Sequence, residues 1–124
     1  MRDRFYDRSP GYSPIRLLYV QLDPGERYDL VRQVRRFADR HHFDLNIRQL
    51  APDPDEIFLY LARDNIQLLG TKNSDTGAPR LEFSFGFYQQ RQKPPPSLAE
   101  IDPLMASLRT MLADVPGLVV TKDE

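Results

Sequence analysis

No cysteine occurs among the 124 residues. That absence rules out a disulfide framework, a thiolate nucleophile, an iron-sulfur site and any zinc site built on thiolates. A chain of this kind suits the cytosol and an oxidising space equally. Net charge is the second thing missing. Seventeen Lys and Arg face eighteen Asp and Glu, for a formal charge of -1, so no bulk field draws the molecule toward a polyanion. Nucleic acid is not expected as a partner.

Long apolar runs are missing too. No stretch approaches the roughly 20 residues that span a bilayer, and the N-terminus has no signal-peptide apolar core, so no transmembrane segment is expected. Met1 to Tyr12 reads as a flexible, linker-like segment. As written, the chain is expected in the cytoplasm, and an upstream signal trimmed from this segment would instead make it exported or lipid-anchored. Residues 13–124 read as one α+β domain, large enough to bury roughly two thirds of the surface its unfolded form exposes.

Recognisable reaction chemistry is also scarce, and no catalytic, cofactor or metal residues are assigned. The two histidines, His41 and His42, are adjacent, so on a helix they point about 100° apart and cannot form the shared ligand face of an i, i+4 pair. His41 is expected to pack under a helix end, with His42 at the free carbonyls. Asp53, Asp55 and Glu56 lack the spacing and glycine of a calcium loop and read as solvated turn charges. No Gly-x-Ser-x-Gly elbow exposes a nucleophile, and no glycine-rich loop precedes a helix to cradle phosphate.

What the chain does have is alternation. In residues 80–88, Leu81, Phe83, Phe85 and Phe87 alternate with Arg80, Glu82, Ser84 and Gly86, which marks a strand with one apolar and one polar face. Ile15 to Leu22 is apolar on both faces, as an interior strand would be. Asp23-Pro24-Gly25-Glu26 predicts a capped helix start, and Leu30, Val31, Val34, Phe37, Ala38 and His41 share one face of a helix to about His42. Asp44 to Leu50 predicts a strand, followed by a rigid turn at Ala51-Pro52-Asp53-Pro54.

Glu56 to Leu69 fits either a helical stripe or a hairpin. Its aromatic content favours strands 56–63 and 66–71 joined at Asp64-Asn65. Lys72 to Pro79 reads as a polar loop and Gln89 to Pro96 as a stiff extended connector. A second helix starts at a Ser97/Glu100 capping box or at Asp102-Pro103, buries Ile101, Leu104, Met105, Leu108, Met111, Leu112 and Val115, and ends at Pro116-Gly117. Leu118-Val119-Val120 adds a short last strand.

The order β-α-β-β-β-β-α-β gives an α+β two-layer sandwich, a mainly antiparallel sheet with two helices on one face. It is similar to a ferredoxin-like arrangement with an added hairpin. Sheets of this topology include RNA-recognition modules, but Leu81 stands where their motif has glycine, and the phenylalanines are needed for the core.

Two helices cover one side of a sheet only. Strands 15–22 and 56–63 are apolar on both sides, so either Leu18 and Val20 or Ile15, Leu17 and Tyr19, and either Phe58 and Tyr60 or Leu59 and Leu61, are expected on the other side as an aromatic and aliphatic stripe rimmed by charge, with Tyr19, Phe58 and Tyr60 as candidate contact residues. Covering it favours a protein partner or a homodimer, unless Phe5, Tyr6 and Tyr12 fold back over it. Arg32, Arg36 and Arg40 form a basic ridge on the first helix, with Arg35 beside it. The expected function is therefore a non-catalytic protein-binding or self-associating module. The alternative is a small-ligand binder or an enzyme with dispersed arginine, aspartate and histidine groups.

Overall fold

A computed structural model describes residues 13–49, 57–73, 80–90 and 92–124. Met1–Tyr12, the turn at 51–54, the acidic group Asp53, Asp55 and Glu56, and most of the 72–79 loop lie outside the described residues. In chain order the elements are β1 (Arg16–Leu22), α1 (Arg27–His41), β2 (Asp44–Gln49), β3 (Ile57–Arg63), β4 (Ile66–Lys72), β5 (Leu81–Gln89), α2 (Leu98–Leu112) and β6 (Val119–Asp123). The fold is α+β. Its six strands form one sheet in the order β2-β3-β4-β5-β1-β6, and every neighbouring pair is antiparallel.

Period-two alternation decides which side chains meet the helices. Leu18, Val20 and Leu22 of β1 stand opposite Phe85, Phe83 and Leu81 of β5, and all six are buried. The same side continues through Leu68 and Ile66 of β4 and through Leu61, Leu59 and Ile57 of β3. Leu45 and Ile47 of β2 complete it as partly buried neighbours. Against this layer α1 places Leu30, Val34, Phe37 and Ala38, and α2 places all seven residues expected of it, including Val115 just past its end.

The segment from Ile57 to Lys72 is a hairpin, not a helix. Arg63 pairs with Ile66, and Asp64 turns the chain at φ 51°, a left-handed conformation that Asp tolerates better than most residues. Gly70 sits on the core side under Phe85. A Cβ there would lie 2.6 Å from the Phe85 ring, so glycine is what lets the ring cross the strand.

Helix starts divide the two predicted caps. At Ser97 the capping box forms in full: Ser97 Oγ accepts from the Glu100 N–H at 3.2 Å, and Glu100 Oε1 accepts from the Ser97 N–H at 3.0 Å. Asp102, the rival start, pairs instead with Arg16 at 2.9 Å, and Pro103 lies inside the helix. The expected box at Asp23 does not form. Residues Pro24–Glu26 make a 3-10 turn, α1 begins only at Arg27, and the Asp23 side chain caps nothing. Its carboxylate stands 3.3 Å from Arg80 Nε instead, a charged partner that competes with the weaker neutral N–H donors.

The connector to α2 also differs from a uniformly extended segment. Gln92 adopts φ 62°, and Asn65 Nδ2 donates to the Pro94 carbonyl at 3.0 Å. Side-chain contacts with the β3–β4 turn thus fold it back.

Candidate binding surfaces

Seen from the side away from the helices, the sheet carries the odd-parity residues of β1 and the even-parity residues of β3 and β5. One row across it runs Leu17, Gly86, Leu69, Tyr60 and Asn46. The next runs Tyr19, Ser84, Thr71, Phe58 and Arg48. Tyr88 and Gln67 stand opposite each other in a third. Leu17, Tyr19, Phe58, Tyr60, Leu69 and Tyr88 are all part-buried, so the stripe expected from the two doubly apolar strands is there. Tyr19, Phe58 and Tyr60 all lie in it.

Two local arrangements shape this face. A Cβ on Gly86 would fall 2.7 Å from Cε1 of Tyr88, which means the tyrosine ring lies back over the glycine and levels the surface between Leu17 and Leu69. Beside it, Gln67 is 3% exposed, and its Nε2 donates to the Tyr60 hydroxyl at 3.0 Å. This bond satisfies a buried amide that would otherwise cost about 1–3 kcal/mol. The rim has mixed sign. Lys122 lies 5.3 Å over the Tyr19 ring and pairs with Glu124 at 3.4 Å, while Glu82 accepts from Asn73 Nδ2 at 2.9 Å.

Leu69, Gln67 and Tyr88 belong to this face but were not singled out from sequence. The alternation of β4 and β5 carries the signal for each: Leu69 shares parity with Gln67 and Thr71, and Tyr88 with Glu82 and Ser84. Phe83, Phe85 and Phe87 are fully buried under the helices, so none of them can stack on a base.

The arginine ridge separates. Arg32 pairs with Asp29 and lies beside a groove between α1 and β2, whereas Arg36 donates to Gln33 Oε1 at 3.3 Å and, like the exposed Arg40, stands outside that groove. The groove encloses about 420 Å³. Val31, Ile47 and Ile57 supply its apolar wall, and Arg27, Tyr28, Arg32 and Arg35 its helix rim. The helical rows 27-31-35 and 28-32 point there because i and i+4 share a face. Sequence reasoning missed it, since nothing local says that β2 will lie alongside those rows.

His41 is a structural residue in this arrangement. Its Nε2 lies 2.7 Å from Ser107 Oγ, linking α1 to α2, and its ring packs 4.7 Å from Phe37. Burial, then the nearby Arg63, Arg40 and His42, holds its pKa below the ordinary 6.5. His42 is the left-handed C-cap, but its side chain is not what meets the carbonyls. Arg63 Nη1 donates to the His41 carbonyl at 2.6 Å, with its guanidinium 4.8 Å over Phe43. A planar cation reaching across from β3 satisfies the helix end better than a neighbouring imidazole on the same turn.

Among the described residues, no group of three or more His, Asp or Glu side chains could hold a metal ion, and no helix is long and apolar enough to cross a membrane. The chain matches no protein-family model, and no curated protein matches it.

Proposed function

We propose that the protein is a non-catalytic binding module whose contact surface is the outer face of the sheet, and that its first partner is a second copy of itself. The observation that carries this reading is the band of Leu17, Tyr19, Phe58, Tyr60, Leu69 and Tyr88 on the side opposite both helices. Each full burial of such a side chain is worth about 1.5–3 kcal/mol, and the part of that gain still open is the smaller fraction of each that remains exposed.

Size and charge support a second copy. Six strands spaced ~4.8 Å apart and about 23 Å long present roughly 650 Å² per copy, or about 1,300 Å² for a face-to-face pair, above the ~1,000 Å² floor for specific interfaces. The rim holds Glu82 and Glu124 as well as Arg48 and Lys122, so like faces can meet without a one-sign field. A nucleic acid would want that field to be positive.

We also read the strand order as a ferredoxin-like sandwich with one hairpin added. Removing the adjacent pair β3 and β4 leaves the four-strand order of two interlocked β-α-β units. The fold analogy adds no functional warrant.

Sedimentation equilibrium tests the reading. Wild type is expected to dimerise reversibly, and Leu69→Lys, which puts an ammonium in the middle of the band, is expected to weaken the dimer at least tenfold, equivalent to about 1.4 kcal/mol, with an unchanged circular dichroism spectrum. A wild type that stays monomeric, or a folded Leu69→Lys that dimerises equally well, contradicts it.

A further inference from the structure

We infer that the groove between α1 and β2 is a second, separate site, and that it takes a small amphiphilic anion: a carboxylate carried on an aliphatic or aromatic body. The about 420 Å³ it encloses falls in the ~300–1,000 Å³ range of small-molecule sites. Its composition is that of such a site as well. Among the described residues, Val31, Ile47 and Ile57 supply the apolar lining, and Arg27, Tyr28, Arg32, Arg35 and Gln49 the polar lining.

The rim says what the head group is. Among the described residues, the charged side chains that line the groove, Arg27, Arg32 and Arg35, are cationic. Two of them have work elsewhere: Arg27 donates to the Pro24 carbonyl at 3.1 Å and to the Tyr28 hydroxyl at 3.3 Å, and Arg32 pairs with Asp29. Arg35 is exposed and makes no hydrogen bond or ion pair with any described residue. Its guanidinium therefore offers a planar fork matched to a carboxylate. From Arg35 back to Arg27 the rim runs about 12 Å along α1, from eight residues at ~1.5 Å each, long enough for an extended chain of moderate length.

A free molecule fits better than a bilayer surface. The net charge of -1 gives no long-range pull toward anionic lipid, and the apolar wall is recessed behind the arginines. Only a ligand that enters the groove meets both. Tyr28 also lines the groove; it is 69% exposed, with the Arg27 guanidinium 4.7 Å over its ring.

The test is titration of the full-length protein with decanoate below its micelle concentration, followed by amide and methyl chemical shifts. Saturable one-to-one binding is expected, with the shifts concentrated at Val31, Arg35, Ile47 and Ile57. Arg35→Gln is expected to raise the Kd at least tenfold, and decan-1-ol, with the same chain and no charge, to bind at least tenfold more weakly than decanoate. Absence of binding, equal affinity for the alcohol, an unaffected Arg35→Gln variant, or shifts centred on Tyr19 and Leu69 would each overturn the assignment. So would co-sedimentation with phosphatidylglycerol vesicles in the absence of any response to decanoate, which would make the surface a membrane contact. Dimerisation is measured separately, so the decanoate result stands whether or not the outer face self-associates.

Discussion

At the scale of single residues, the most informative positions are those where a side chain is held by one specific neighbour. His41 is one. Its pKa is lowered in the folded state, first by burial and then by Arg63, Arg40 and His42, so the unfolded chain takes up the proton more readily. The stability this represents is complete above the ordinary pKa of 6.5 and is lost as pH falls through the lower folded value. Urea midpoints measured from about pH 7.5 to about pH 5 should drop more steeply for wild type than for His41→Gln; parallel curves would remove His41 from the explanation. The glycines give a second contrast. Gly70→Ala drives a methyl into the Phe85 ring deep in the core and is expected to cost about 1–3 kcal/mol. Gly86→Ala meets only the outer end of Tyr88, which can swing aside, so its cost should be clearly smaller in the same denaturation experiment. Alternation told from sequence only that Gly86 lies on the polar face of its strand. It did not tell which aromatic ring crosses each one, because that depends on the register between strands and on rotamers.

At the scale of elements, the strands were the most legible part of the chain. Leu81, Phe83, Phe85 and Phe87 fixed one face of β5, and the doubly apolar β1 and β3 proved to be interior strands, β1 between β5 and β6, β3 between β2 and β4. Helix α2 was clear along its apolar face, while its start stood open between two caps; the Ser97 box forms because it is local: Ser97 and Glu100 need only each other. Ser97→Ala should therefore lower stability by about 1 kcal/mol, read as a shift in the urea midpoint with an unchanged slope. Helix α1 was misjudged at its start for the opposite reason. Asp23 has a distant partner, Arg80, which also donates to the Gly117 carbonyl, and no sequence pattern announces a contact between residues 57 positions apart. Spacing placed Arg32, Arg36 and Arg40 on one helical row, and all three are exposed; the groove, set by where β2 lies, is lined instead by Arg27, Arg32 and Arg35, which no local pattern announces.

At the scale of the whole molecule, the layers formed by the described residues do not match. Two helices shield one side of a six-stranded sheet, while β1, β3, β4 and β5 all send apolar side chains to the other. That imbalance was legible in the sequence because it follows from counting: strands apolar on both faces need two covers, and the chain supplies helices for one. What the sequence could not locate was the centre of the outer band, which falls at Leu69 and Gly86 where β4 and β5 pair, or the edge of the sheet that would border a partner.

The most direct test is isotope-filtered NMR on an equal mixture of labelled and unlabelled protein. Contacts between protons of different copies should connect Tyr19, Phe58, Leu69 and Tyr88 to one another, with none at Phe37 or Leu108 between the helices and the sheet. Intermolecular contacts confined to β2, β6 or the helices, or no such contacts at concentrations where the protein sediments as a single species of monomer mass, would contradict the outer sheet face as the binding surface.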